Sequence, residues 1–404
     1  MKSASGYLPG SGEYRRVTVC LFLAGVATFA LLYATQPLLP ELVRHFTISE
    51  ETSTLSVSAA TLGLGLALLV AGPLSEAVGR TPIMKVSLLA ASLLGVGAAL
   101  ASSWPLLLTL RLAQGVSLAG LPAVATAYLR EEVAPGHVFR AVGLYIGGTA
   151  IGGMSGRLVA GFAGQWLGWR GALGCIAVLA LVCAFVVWLW LPASRHFHPA
   201  PAGIAALVKR TWRVVADPGM LALYSISGTM MGGFVALYNA TGFRLEAPPH
   251  ELPLSLASLV FLAYAGGSVS SSVAGRQADR RGHGIVVLVS VGIALAGLAV
   301  TLIDRLLTIA VGLGILTVGF FAAHGVASAW TVARAQRLGG STSQAASIYL
   351  FSYYLGSSVF GALAGTAWAW AGWSSVAAMV AALWLAALAL ACLLWRTPPA
   401  VRRS

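Results

Sequence analysis

An all-α membrane protein with about twelve transmembrane helices in two similar halves is what this sequence predicts. Three observations carry the prediction: too little charge to clothe a water-facing surface, apolar runs of spanning length, and one loop pattern found at matching places in both halves. Only 9% of the 404 residues are charged, while 58% are Ala, Val, Ile, Leu, Met, Phe, Trp, Tyr or Cys. A soluble domain carries about 25% charge, and the mean hydropathy of +0.85 points the same way. The 47 glycines suit membrane helices, where small residues let backbones approach closely.

A helix needs roughly 20 apolar residues to cross about 30 Å of hydrocarbon. Such segments fall at 17–40, 52–74, 82–103, 105–129, 137–162 and 169–192, then at 218–243, 252–275, 283–303, 306–331, 342–368 and 373–395. Residues 1–16 form an N-terminal segment, 17–192 the first half, 193–217 a linker, 218–395 the second half and 396–404 a tail. Lys2 is followed by a polar stretch, and the first apolar run begins only after Arg15 and Arg16. That run is therefore expected to be a retained helix and not a cleaved signal peptide. The linker holds Lys209, Arg210 and Arg213, and its segment 203–212 is expected either as a short interfacial helix or as a plain joint.

The net charge of +13 suits an anionic lipid surface better than nucleic acid, because the cations are scattered between apolar segments. With the N-terminus inside, only Arg44, Arg170, Arg244 and Arg305 of the 25 Lys and Arg fall on the outer side. Arg111 and Arg157 lie within spans, and the rest are on the inner side. Positive charge collects on the cytoplasmic side of membrane proteins, so both termini are expected there. Cys20, Cys175, Cys183 and Cys392 lie in apolar runs without metal-ligand spacing, and are expected to be small buried hydrophobes. Metal and cofactor chemistry find no support, and P-loop, HExxH and GxSxG patterns do not occur, so neither an ATP-driven motor nor an enzyme is expected.

The link between spans 2 and 3 reads GPLSEAVGR over 72–80, and that between spans 8 and 9 reads GRQADRRGH over 275–283. In each, a glycine is followed by an acid four residues later, then by glycine and a basic or near-basic residue. Gly72, Glu76, Gly79 and Arg80 thus have counterparts in Gly275, Asp279, Gly282 and, nearby, Arg280. The first glycine would let helices approach, the acid would bond a helix end or a cation, and the second glycine would turn the chain. Such a cluster suits a conformational latch. Its bland alternative is a turn with inside-positive anchors.

With this loop signature in both halves, the chain resembles the major facilitator superfamily over nearly its whole length, although Glu76 stands where aspartate is usual. Arg111 to Gly115, in the order Arg-Leu-Ala-Gln-Gly, resembles the family's fourth-helix motif, whose arginine is often linked to proton coupling. The segments 33–40, 152–157, 320–324 and 349–356 resemble the YnfM-like branch of inner-membrane transport proteins. The resemblance implies two six-helix bundles around a central cavity that opens alternately to either side, related by an axis along the membrane normal. It also implies a fifth-helix glycine motif associated with antiporters, from which Gly153 departs because proline is expected there.

The candidate site residues follow. Arg111 either snorkels to headgroups or faces a wet cavity or a partner, and is expected to meet the Gln36 end of helix 1, directly or through water, with Glu41 at similar depth. Arg157 lies beside Gly148, Gly152 and Gly156, whose four-residue spacing puts them on one helix face for close packing. His324 is a candidate proton carrier or a structural hydrogen-bonding group. Tyr33, Tyr238, Tyr349 and Tyr353 suit either an amphipathic solute or helix packing; Asn239 is expected to line the cavity or to bond across helices 7 and 1. No carboxylate falls mid-helix, which favours a neutral polar or anionic solute over a lipophilic cation.

The expected function is that of a secondary active transporter in a bacterial inner membrane, acting as a monomer and exporting a small organic solute against protons. An uptake or facilitated-diffusion carrier, a multidrug exporter, and a membrane receptor that keeps the fold without turnover are the alternatives.

Overall fold

The computed structural model describes residues 6–195, 197, 212 and 214–396. Residues 203–211 of the expected interfacial helix lie outside them. Among the described residues the chain is almost entirely helical, and nine helical runs are long and apolar enough to cross a membrane. Met1–Pro201 with Thr241–Leu262 form one compact unit, and Ala202–Ala240 with Ala263–Ser404 form the other.

The first unit begins with α1 (Gly12–Tyr33), whose amino end is capped by the Ser11 hydroxyl accepting from Tyr14 N. It stops at Tyr33, short of the predicted end at 40. Pro37 explains this, since it has no N–H for the Tyr33 carbonyl and its ring would collide with that oxygen. A 3₁₀ turn at Gln36–Leu38 then leads into the short α2 (Leu39–Phe46). Next come α3 (Glu50–Val78) and α4 (Arg80–Ala99). The predicted span 105–129 is broken into α5 (Trp104–Leu118) and α6 (Ala125–Glu132). Pro122 acts on the Leu118 carbonyl as Pro37 acts on Tyr33. The helical run α7 (Val138–Trp190) merges two helices across a kink at Gly168, where φ is 66°.

In the other unit, α8 (Pro218–Glu246) contributes its residues up to Ala240. After the four-residue α9 (Leu254–Ala257) of the first unit and a 3₁₀ turn at Ser258–Ala263 come α10 (Tyr264–Arg281) and α11 (His283–Val300). They are followed by α12 (Leu306–Arg337) and α13 (Thr342–Arg396), the last broken at Ala371 and Gly372.

The glycine face of α7 packs on α1. A Cβ at Gly148, Gly152 or Gly156 would overlap the backbone of Phe22, Val26 or Ala30 respectively, so the two helices run parallel in near backbone contact. In the second unit α13 touches α8 in the same way, with Gly356 against the Gly228 backbone. Without a hydrophobic drive between helices in lipid, such close packing is what holds them together. Large apolar side chains such as Leu100, Phe139, Leu307 and Trp370 point outward instead, as a lipid-facing surface requires. Two cysteines depart from the expected burial, because Cys175 is exposed and Cys392 half-buried.

An ion pair fixes the start of α8. Arg334 Nε donates to Asp217 Oδ1 at 2.6 Å, and Met220 N donates to the same oxygen at 2.8 Å. Burial pushes the Asp217 carboxyl up, but Arg334 and the amides of Met220 and Gly219 outweigh it and hold it below the usual aspartate range. A depressed acid contributes stability that is present above its unfolded pKa and lost as pH falls through its folded one.

Two outcomes follow. The thermal midpoint of the detergent-solubilised protein should fall as pH drops below about 4, and Asp217→Asn should flatten that part of the profile while lowering the midpoint at pH 7. Gly152→Leu should abolish recovery of a monodisperse protein by size-exclusion chromatography. Gly147→Leu, with open space around its Cβ, should not.

Candidate functional site

The carboxyl end of α1 is where the site residues of the first unit converge. Because α1 stops at Tyr33, its last carbonyls lack helical partners. Arg111 of α5 supplies them, donating from Nη1 to Leu31 O at 2.8 Å and from Nη2 to Leu32 O at 2.5 Å. Its Nε donates to Ser56 O on α3 at 3.1 Å, and Nη1 also reaches Gln114 Oε1 at 2.5 Å. Gln114 Nε2 in turn donates to Ala91 O on α4. Arg111 and Gln114 together thus tie four helices, and the guanidinium charge sits on the negative end of the α1 dipole. At 1% exposure it is not snorkelling to a surface. It reaches the expected end of helix 1, but at backbone carbonyls and not at Gln36.

Gln36 belongs to Arg157. The Arg157 Nε donates to Gln36 Oε1 and its Nη1 to Gly153 O, each at 2.5 Å. The guanidinium lies 4.1 Å from the centre of the Tyr33 ring and 5.4 Å from that of Phe261, and is 1% exposed. Aromatic faces attract a desolvated cation through their quadrupole, by about 2 kcal/mol. This explains how a charge can rest in an apolar core. Phe261 carried no signal in the sequence, since nothing local distinguishes it from a lipid-facing phenylalanine.

Glu41 lies farther along. Its Oε1 accepts from Trp169 N at 2.8 Å, capping the helix that restarts after the Gly168 kink. Glu41 also lines a cavity of about 420 Å³ with Arg44, Gln165 and Glu246. Arg44 pairs with Glu246 at 3.1 Å across it. Glu246 was hidden in the sequence because its partner lies 202 positions away.

The paired loops fold alike but are held differently. Gly79 and Gly282 adopt nearly the same left-handed turn, with φ, ψ of 108°, 154° and 87°, 150°, which a side chain would strain. Gly72 and Gly275 do not mediate the expected close approach, as a Cβ at either would meet nothing within 4 Å. Arg80 bonds Ser75 Oγ at 2.6 Å and Glu131 Oε1 at 2.9 Å, so the acid that pairs with Arg80 is Glu131 and not Glu76. In the second copy Asp279 and Arg280 are exposed. Beside the Arg80–Glu131 pair, Tyr7 pairs with Val133 as an isolated bridge, and the fully buried Glu132 accepts from Arg195 N at 2.7 Å. The N-terminal segment and the start of the linker therefore clasp the same loop.

In the second unit, Tyr238 shares a 2.8 Å hydrogen bond with Thr317, and Asn239 Nδ2 donates to Gly361 O on α13, a helix not expected as its partner. His324 Nδ1 lies 3.1 Å from Tyr349 Oη, which is also 3.2 Å from the His324 carbonyl. The two bonds are compatible when the phenol donates to the carbonyl and accepts from Nδ1–H. Tyr353 packs on His324 at 4.6 Å. Among the described residues no group of three or more His, Cys, Asp or Glu could hold a metal.

The sequence profile of the Major Facilitator Superfamily matches residues 21–358. The chain is 40% identical over 359 residues to the uncharacterized MFS-type transporter YybF of Bacillus subtilis, covering 89% of this chain and 88% of that protein. It is 43% identical over 372 residues to the inner membrane transport protein YnfM of Escherichia coli, covering 91% and 88%. Among solved structures, a bacterial homolog of the human lysosomal transporter Spinster, in an inward-facing and occupied conformation, superposes with a TM-score of 0.75. That likeness spans 98% of this chain and 100% of the other at 17% identity, so it speaks for the fold alone.

The Arg80–Glu131 pair is half-buried, and its two single variants and the double variant should reveal their coupling. Arg80→Ala and Glu131→Ala should each destabilise the protein, and unfolding of all four forms should return an interaction of about 1 kcal/mol. Arg80→Ala and Glu76→Ala should instead be additive.

Proposed function

On the premise that the chain belongs to the major facilitator superfamily, we propose that it exports a small neutral polar or anionic organic solute by alternating access, driven by proton entry. It is a transporter and not an enzyme. A bacterial inner membrane as its location agrees with the relative described as an inner membrane transport protein. Twelve spans in two six-helix halves agree with the kinks that divide α7 and α13, with α5 and α6 as parts of one interrupted span. The recurring turn at Gly79 and Gly282 and the matching glycine contacts of the two halves support the internal repeat. Both termini on the cytoplasmic side follows from the placement of Lys and Arg.

The observation that carries the charge preference is the pair of guanidinium groups buried in the first unit. All four hydrogen bonds of Arg111 go to neutral oxygens, so its charge is not cancelled by a contacting carboxylate. A positive interior suits an anion or a polar neutral molecule and opposes a lipophilic cation. Arg111 is the residue proposed to couple proton and solute movement, because it holds the end of α1 to α3 and to its own α5. Weakening those bonds would free that end to shift. Arg157 with Gln36 forms the second polar point, and the Arg80 cluster the latch. The outward direction and the monomeric state rest on family resemblance.

Proteoliposomes loaded with a pH-sensitive dye and exposed to a panel of solutes test this. A transported solute should move protons the opposite way, and reversing the proton gradient should reverse its net flux. Flux indifferent to the gradient would remove the proton. Hydrogen bonds to a charged group contribute about 1.5–3 kcal/mol each. Arg111→Lys, which cannot serve four acceptors with one ammonium, should therefore insert normally yet lose coupled flux by about tenfold or more. Normal coupled turnover in Arg111→Lys and Arg111→Ala would exclude the role.

A further inference from the structure

The second unit contains a connected set of aromatic rings that the charge argument does not use. At its core, Phe234 of α8 and Phe320 of α12 stack at 3.9 Å with their planes 8° apart, and both are buried. Tyr264 of α10 packs against Phe234 at 5.4 Å. From this core the rings continue to Phe321, 5.7 Å from Tyr264, and to His324, parallel to Phe320 at 6.0 Å. Tyr353 of α13 completes the run, 4.6 Å from His324. Burial falls along it: Phe321, His324 and Tyr353 are each half-buried, whereas the core rings are closed off.

Two features fix the half-open rings. Gly267 leaves the space that Phe321 fills, since a Cβ there would overlap the ring. The Tyr349 hydroxyl holds His324 from both its ring nitrogen and its carbonyl. Lipid does not suit the open side of His324, because an ionisable imidazole is costly in hydrocarbon and faces the protein interior or water. Rings held in a set orientation favour another flat ring over a saturated group of equal size, through edge-to-face and offset stacking beyond simple area burial.

We propose that Phe321, His324 and Tyr353 form a wall that takes an aromatic or conjugated ring of the solute. This rests on the reading of the protein as a solute transporter and narrows the substrate class.

The full-length protein in nanodiscs is titrated calorimetrically with two matched pairs. One is naphthalene-2-carboxylate with its decahydro counterpart; the other is naphthalene-2-methanol with its saturated counterpart. The wild type should bind the aromatic member of a pair about tenfold more tightly. Phe321→Leu and Tyr353→Leu, checked for monodispersity, should each erase most of that preference. A preference in the alcohol pair with no binding of either carboxylate supports the wall while overturning the anionic substrate. Equal affinity within each pair, failure of all four probes to bind, or a preference that persists in both leucine variants overturns the wall. The wild-type comparison alone decides if neither variant folds.

Discussion

Hydrocarbon offers no hydrogen-bond partner, so every backbone polar group within the membrane must be satisfied by the protein itself. Where a proline or glycine interrupts a helix, the groups thereby released need another partner, and at two of the breaks a side chain serves as that partner. Arg111 does so for the carbonyls at the end of α1, and the Glu41 carboxylate does so for Trp169 N where α7 restarts after Gly168. The polar residues at these breaks are thus required by the breaks. They are also the points at which a helix can bend or shift at small cost, because a side-chain bond is exchanged more easily than a run of backbone bonds.

The first unit combines close helix packing with buried charge. Gly148, Gly152 and Gly156 bring α7 so close to α1 that Arg157 can reach Gln36 and stack on Tyr33. A larger residue in that seam would separate the helices and leave the guanidinium without its acceptor and its aromatic face. In the link between α3 and α4, Arg80 is held by Ser75 and Glu131, while Arg280 of the link between α10 and α11 is exposed. The two links share a backbone turn and differ in what their side chains grip.

Helices and their rough limits were legible because they depend on local properties: run length, hydropathy and the glycine of a turn. The helix ends were legible in principle too, since Pro37 and Pro122 stand four residues past Tyr33 and Leu118. Hydropathy misplaced them because proline barely alters the apolar average of a window. The role of Gly72 and Gly275 was misjudged for another reason. A glycine that enables approach and one that faces open space look alike in one dimension.

The sequence by itself determined that the chain is an all-helical, multi-span membrane protein and that Arg157 lies within a long apolar run, because the cost of exposing apolar or charged groups is incurred residue by residue. Only the tertiary structure decided which partner each arginine took. Gln36 went to Arg157 across 121 positions, Arg111 to the carbonyls of α1, and Arg80 to Glu131 instead of Glu76. Those pairings depend on how neighbouring helices are rotated and how closely they approach, and such quantities arise from the packing of many side chains together.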